Sequence, residues 1–141
     1  MPISFNGNSP QSITFNGNQV DKVVYNGQEV WNRAYTITYS NLNSVYGYIT
    51  YKGSKKTGSG SFKVNPGDSI SCTAGVNTGS SYIYGTANIY LNGSRVATKS
   101  VSNYNNYGTT SYTYYPSSNS SISYQSSTTG SSITTNVRIT T

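Results

Sequence analysis

Three near-copies of one phrase, ISFNGN, ITFNGN and VVYNGQ, begin at positions 3, 13 and 23, and this decamer register constrains the fold more than any other feature. Each copy reads apolar residue, spacer, aromatic, Asn-Gly, and the third runs on into Val30 and Trp31. Asn-Gly between extended runs signals a two-residue type I′ hairpin, because both central residues must take positive φ and these two residue types tolerate it best. The repeat therefore predicts a short β-meander turning at Asn6-Gly7, Asn16-Gly17 and Asn26-Gly27. In the first copy Pro10 interrupts the continuing strand, so that copy is expected to be a lead-in arm and the meander to occupy residues 13–31.

From Ala34 the pattern changes to longer alternating strands. Only 33% of the 141 residues are hydrophobic, a level that would suggest disorder if they were scattered. They are not: 15 Tyr and many β-branched residues fall in alternating runs, and no window carries a helical apolar period. The chain is expected to be all-β, with a short N-terminal β-meander of NG hairpins at 1–33, acting as an attachment element, followed by an immunoglobulin-like β-sandwich at 34–141 of about eight strands. The likeness to immunoglobulins is architectural, since this region holds neither a Cys pair nor a core Trp.

Several faces can be assigned. Ile70, Cys72 and Ala74 form one inward set; Ile83, Gly85, Ala87, Ile89 and Leu91 form another; Ile133, Thr135, Val137 and Ile139 close the chain. A two-residue turn at Asn92-Gly93 would set Leu91 opposite Ser94, Tyr90 opposite Arg95, Ile89 opposite Val96 and Ala87 opposite Thr98. Arg95 and Lys99 would then share the face of the strand's tyrosines. Residues 53–60 read as a flexible Gly/Ser/Lys hairpin tip.

Catalytic chemistry finds little to work with. The chain has no His, which removes the commonest general base, and only three carboxylates, Asp21, Glu29 and Asp68. A glycosidase needs two facing each other across a sugar. One Cys without His offers no zinc set, calcium lacks clustered acidic oxygens, and no cofactor is implied. The expectation is no enzyme, no metal and no cofactor. The single Cys excludes an internal disulfide, and Cys72 reads as a small buried hydrophobe. The net charge of +6 is spread along the chain, with one knot at Lys52 to Lys56 that reads as a solvated tip, so a nucleic-acid partner is not expected. Neither a signal peptide nor a membrane-length apolar run is present, which predicts synthesis in a reducing cytoplasm without membrane insertion.

Two aromatic groups carry alternatives. Trp31 is either a packing anchor between repeat and sandwich or a contact to a partner subunit. Tyr46, Tyr82, Tyr104, Tyr107 and Tyr112, in or beside Ser, Gly and Asn, are either outer-face strand residues or a recognition surface of the Tyr/Ser/Asn kind used by binding loops.

The stretch ITFNGNQVDKVVYNGQEVW resembles the N-terminal repeats of structural proteins encoded in the tail and head modules of tailed bacteriophages and prophages, where apolar-x-aromatic-Asn-Gly-x-x-Val recurs and ends at a Trp. The resemblance covers the first 33 residues and departs from the pattern at Pro10. It implies a non-catalytic virion protein, of the tail, the baseplate or the capsid decoration, made in the bacterial host cytoplasm. On that footing Phe5, Phe15, Tyr25, Val30 and Trp31 are expected to dock on other virion subunits, in multiple copies, by strand addition or by packing into a groove. The sandwich would face outward for host adhesion. The alternative from another class is a carbohydrate-binding module that contacts a cell-surface glycan through the loop tyrosines.

Overall fold

The computed structural model describes Pro10 and residues 12–141; the Asn6-Gly7 hairpin and Phe5 lie outside the described residues. Among the described residues fourteen strands follow in order: β1 Ile13–Phe15, β2 Asn18–Val20, β3 Lys22–Tyr25, β4 Gln28–Asn32, β5 Tyr35–Leu42, β6 Gly47–Tyr51, β7 Ser54–Lys56, β8 Gly58–Val64, β9 Ile70–Asn77, β10 Tyr84–Leu91, β11 Ser94–Ser102, β12 Tyr107–Tyr114, β13 Ser120–Thr129 and β14 Ser132–Thr140. The chain is all-β, as its alternation predicts, and ten of these strands lie beyond residue 34, against about eight expected. Among the described residues no helix is long and apolar enough to cross a membrane.

Two sheets carry the core. One has six strands in the order β11-β10-β14-β13-β5-β8, the other four in the order β12-β9-β6-β7. The larger contains two parallel pairs, β10 with β14 and β13 with β5, so its strand order differs from the antiparallel sheets of an immunoglobulin domain. Alternation along each strand turns Ile37, Ala87, Ile89, Ile122, Val137 and Ile139 of the larger sheet toward Ile49, Ile70, Cys72, Ala74 and Val76 of the smaller. Each such isoleucine or valine contributes about 1.5–3 kcal/mol by leaving water. Inside the core, Thr135 Oγ1 donates to the Gly75 carbonyl at 2.7 Å, tying β14 to β9 across the sheets.

Cys72 is fully buried in this layer, and burial pushes its thiol up to about 12. Its folded form is therefore expected to resist Ellman's reagent at pH 8, with one equivalent of thiol released only after unfolding in guanidinium. Native labelling at the rate of a free thiol would overturn the inward placement.

The Asn-Gly turns form as expected, with positive φ at both centres: 50° and 76° at Asn16-Gly17, 52° and 75° at Asn26-Gly27. They do not build one meander. β1 pairs only with β2 and β3 only with β4, giving two separate two-stranded sheets, because the chain bends at Asp21 where a continuing ladder would need an extended residue. In the second hairpin the ladder shifts between Val23 and Val24, so Val23 faces Trp31, and Val30 is the extra residue of a bulge.

Two further expectations are corrected. At Asn92-Gly93 the turn and the pairs Leu91–Ser94 and Tyr90–Arg95 are as expected, but a bulge then sets Ile89 opposite Ala97 and Ala87 opposite Lys99. Lys99 consequently turns to the inner side of β11, its stem lying over Gly108 of β12, while Arg95 stays on the outer face with Tyr90. Val96 and Ala97 are adjacent and both apolar, so either register buries an apolar side chain, and the pattern alone has no preference. The 53–60 tip is also absent. The chain turns earlier, at Lys52-Gly53 (φ 49° and 77°), pairs β7 with β6, and crosses to the other sheet at Gly58. Lysine at the left-handed position hides this turn from a search for Asn-Gly.

Candidate functional site

The sandwich has two unlike ends. At one end the hairpins meet the starts of β5 and β13 and the β8–β9 turn. Trp31 is 7% exposed, packs opposite Val23 and donates Nε1–H to the Pro10 carbonyl at 2.8 Å. Asn32 Nδ2 bridges Glu29 Oε1 at 2.8 Å and Asn65 Oδ1 at 2.9 Å, while Arg33 pairs with Asp21 and lays its guanidinium 5.5 Å from the Tyr35 ring centroid. Between hairpins and sandwich lies a cleft of about 880 Å³ lined by Arg33, Lys63, Asn65, Asn119 and the half-buried Val30. It is a polar joint, and the Arg33 Nε inside it has no hydrogen-bond partner among the described residues.

The repeat acquires a geometric meaning here. Ile13 pairs with Val20, and Phe15 sits two residues from Ile13, so all three lie on one face of the first ribbon. Val23, Tyr25 and Trp31 do the same on the second. Phe15 is nevertheless 70% exposed, Tyr25 64% and Val24 52%. Of the expected docking residues, Trp31 is thus an internal anchor, Val30 lines the joint, and Phe15 and Tyr25 are the ones presented to solvent.

At the opposite end four connections converge: 43–46, 78–83, 103–106 and 130–131. The convergence is hydrogen-bonded. Fully buried Thr78 donates Oγ1–H to the Asn103 carbonyl at 2.6 Å and accepts the Asn106 N–H at 2.9 Å, and Asn105 N–H reaches the Gly79 carbonyl at 2.7 Å. Asn43 Oδ1 caps the first loop by accepting Val45 N–H and Tyr46 N–H at 2.8 and 2.9 Å, and Ile83 N–H bonds the Ser131 carbonyl at 2.9 Å. Asn103 and Asn105 take positive φ, the role for which asparagine is suited.

This frame gathers Tyr46, Tyr82, Tyr104 and Tyr107 at one end. The Tyr46 and Tyr107 rings meet edge to face at 6.2 Å, Tyr107 Oη donates to the Val45 carbonyl at 3.4 Å, and Tyr104, Tyr107, Val45 and Tyr84 are exposed. Lys55 adds one cation, its Nζ 4.0 Å from the Tyr48 ring centroid and donating to the Ser44 carbonyl. Burial, with Tyr48 and Tyr46 alongside, raises the Tyr107 phenol above its ordinary value, so it stays a hydrogen-bond donor. Tyr112 does not belong to the group. It lies in mid-β12, half buried against the core beside Tyr114, and is a packing residue in place of the loop residue expected.

The carboxylates are dispersed. Asp21 is held by Arg33, Glu29 by Asn32, and Asp68 accepts the Tyr51 hydroxyl at 2.7 Å and faces Lys52 Nζ at 3.4 Å. The Tyr51 hydrogen bond, with help from Lys52, holds the Asp68 carboxyl below its usual range. Among the described residues no three His, Cys, Asp or Glu side chains group as metal ligands would. The Lys52–Lys56 knot is likewise committed locally, Lys52 to Asp68, Lys55 to Tyr48 and Lys56 to the Phe62 ring. Comparison with known protein families, curated proteins and solved structures returns no match for this chain. Among the described residues the two ends offer contact surfaces: ribbons with bare Phe15 and Tyr25 beside a polar joint at one, and an aromatic and amide surface with Lys55 beside it at the other.

Proposed function

We propose that the chain is a non-catalytic structural component of a tailed-phage virion, in the tail, the baseplate or the capsid decoration. Its N-terminal hairpins dock on other virion subunits, in several copies per particle, and its sandwich is displayed outward for host adhesion. The observation that supports this is the pair of two-stranded ribbons standing outside the sandwich core with Phe15 and Tyr25 bare. A lone two-stranded hairpin is marginal in water, so ribbons whose apolar faces are left uncovered at Phe15 and Tyr25 gain most from a partner that covers them. The resemblance of residues 13–31 to phage tail and head repeats supplies the kind of partner.

The test is incorporation into particles assembled with a variant gene. An aromatic anchor buried on docking is worth about 2 kcal/mol. Phe15→Ser with Tyr25→Ser should accordingly drop occupancy below about one-tenth of wild type, while thermal unfolding of the sandwich is unchanged. Wild-type occupancy of the double variant would exclude docking through the ribbons.

A second reading, a carbohydrate-binding module, is favoured by the convergence of Tyr46, Tyr82, Tyr104 and Tyr107 at the end remote from the hairpins. Tyr and Asn on preorganised loops give contact area with little ordering entropy. A glycan array in which Tyr104→Ala and Tyr107→Ala abolish a wild-type signal would support it; an array without signal would remove it.

A further inference from the structure

The outer face of the six-stranded sheet belongs to neither end. Its rows can be followed across strands that are far apart in sequence. Arg95 of β11 pairs with Tyr90 of β10, Tyr90 with Arg138 of β14, Arg138 with Ser123 of β13, and Ser123 with Ser40 of β5. The row below runs Thr98, Asn88, Asn136, Gln125, and the next Ser100, Thr86, Thr134, Ser127. Thr98 Oγ1 donates to Asn88 Oδ1 at 2.8 Å, and Asn88 Nδ2 to Asn136 Oδ1 at 3.1 Å, so the central amides are locked into one orientation. The Arg138 guanidinium lies 4.5 Å from the Tyr90 ring centroid, which fixes its plane against the sheet, and Arg95 and Arg138 are both exposed.

The electrostatics are one-sided. No Asp or Glu occurs after Asp68, and the three acids of the chain all sit in the hairpins or the β8–β9 turn, so nothing on this face neutralises the two arginines. Their backbone positions stand two strand spacings apart, roughly 10 Å, with a tyrosine between them, onto which Arg138 leans, and hydroxyls and amides on either side. A guanidinium fork matches a carboxylate through two parallel hydrogen bonds, and Ser, Thr, Asn and Gln match sugar hydroxyls. The separation of the two backbone positions is comparable to the length of a disaccharide, a span the long arginine side chains can adjust to.

We infer that this face binds an acidic polysaccharide that carries one carboxylate per disaccharide and lies across the strands, with successive carboxylates on Arg95 and Arg138. Charge complementarity favours this occupant over nucleic acid. A nucleic-acid surface draws its affinity from many neighbouring phosphates, and two guanidiniums in a field of neutral hydrogen-bonding groups supply too little of that attraction. The inference deepens the adhesion part of the proposal above and rests on the sandwich being displayed. It uses a different surface from the loop tyrosines, and binding by the isolated chain is read separately from incorporation into particles.

The test is affinity electrophoresis of the full chain through gels containing hyaluronan, with neutral dextran and duplex DNA as comparison matrices. Wild type should be retarded by hyaluronan and not by dextran. Arg95→Gln with Arg138→Gln should weaken retardation by roughly tenfold or more, and Arg95→Lys with Arg138→Lys should fall between, because lysine keeps the charge and loses the fork. Tyr104→Ser with Tyr107→Ser, at the far loops, should bind hyaluronan as wild type does. All substitutions are on exposed side chains, and unchanged thermal unfolding shows that the fold is retained. Absence of retardation, equal retardation by dextran, tighter binding to DNA, or wild-type behaviour of the Arg→Gln pair would each overturn the inference. Loss of particle incorporation in the Phe15 and Tyr25 variant with hyaluronan binding intact would separate the two proposals.

Discussion

Gly47→Ala is expected to destabilise the sandwich by about 2–3 kcal/mol, seen as a lower denaturant midpoint with an unchanged slope. Gly47 opens β6, pairs with Ala74 of β9 and faces inward, where the Tyr124 ring of β13 lies directly on its Cα. A methyl group there would overlap Tyr124 Cδ2 and stand 2.8 Å from Cγ and 3.0 Å from Cβ. The root of the side chain is involved as well as the ring, so a small swing of the ring does not relieve the overlap. Relief requires a new χ1 rotamer or a separation of the sheets, and each disturbs close packing. Tyr124→Ala should remove the overlap at the expense of its own burial. The double variant is therefore expected to be more stable than the sum of the single effects predicts, by about 1 kcal/mol or more. A Gly47→Ala protein within about 0.5 kcal/mol of wild type would show that the two sheets are not held at this spacing.

The second large effect concerns the far loops. Thr78→Val keeps the shape and removes the hydroxyl, so the Asn103 carbonyl and the Asn106 N–H each lose the partner that the buried Thr78 side chain supplies. Leaving such groups unpaired costs about 1–3 kcal/mol. Because the loss is confined to the 78–83 and 103–106 connections, it should appear as local opening: amide exchange at Asn105 and Asn106 faster by roughly tenfold or more, with core amides nearly unaffected. Thr78→Ser restores the hydroxyl and should restore protection. Unchanged exchange in the valine variant would mean that the Asn105–Gly79 and Thr78–Asn106 backbone bonds suffice. If they do not, Tyr104 and Tyr107 lose their fixed placement, and any ligand they contact would have to order them first.

Local rules were legible in the sequence, and long-range arrangement was not. Asn-Gly located the turns at 16–17, 26–27 and 92–93, and period-two alternation located the inward sets of β9, β10 and β14, because both signals act within a few residues. Lys52-Gly53 escaped because its left-handed residue is one that seldom marks such turns, and the β11 bulge escaped because Val96 and Ala97 satisfy burial in either register. The two meanings of Trp31 were separable only once Pro10 and Val23 were seen to cover it. Composition raised the possibility of recognition tyrosines, yet their meeting at one end depends on which strands are neighbours. Nothing within Tyr46, Tyr82 or Tyr104 specifies that β9 lies between β12 and β6. The same holds for Arg95 and Arg138, brought into one row by a parallel pairing of strands some forty residues apart.

Lys99, turned inward beneath the outermost strand of the larger sheet, has a consequence for crowding. Were many copies held on one particle, as proposed above, neighbouring sandwiches would sit at local concentrations on the order of millimolar, where bare strand edges tend to zip together into continuous sheet. A second strand laid against β11 would have to follow the kink of the bulge and confine the Lys99 ammonium away from water, both unfavourable. In such an array neighbouring copies would stand side by side without fusing, and each would remain a separate, individually presented surface.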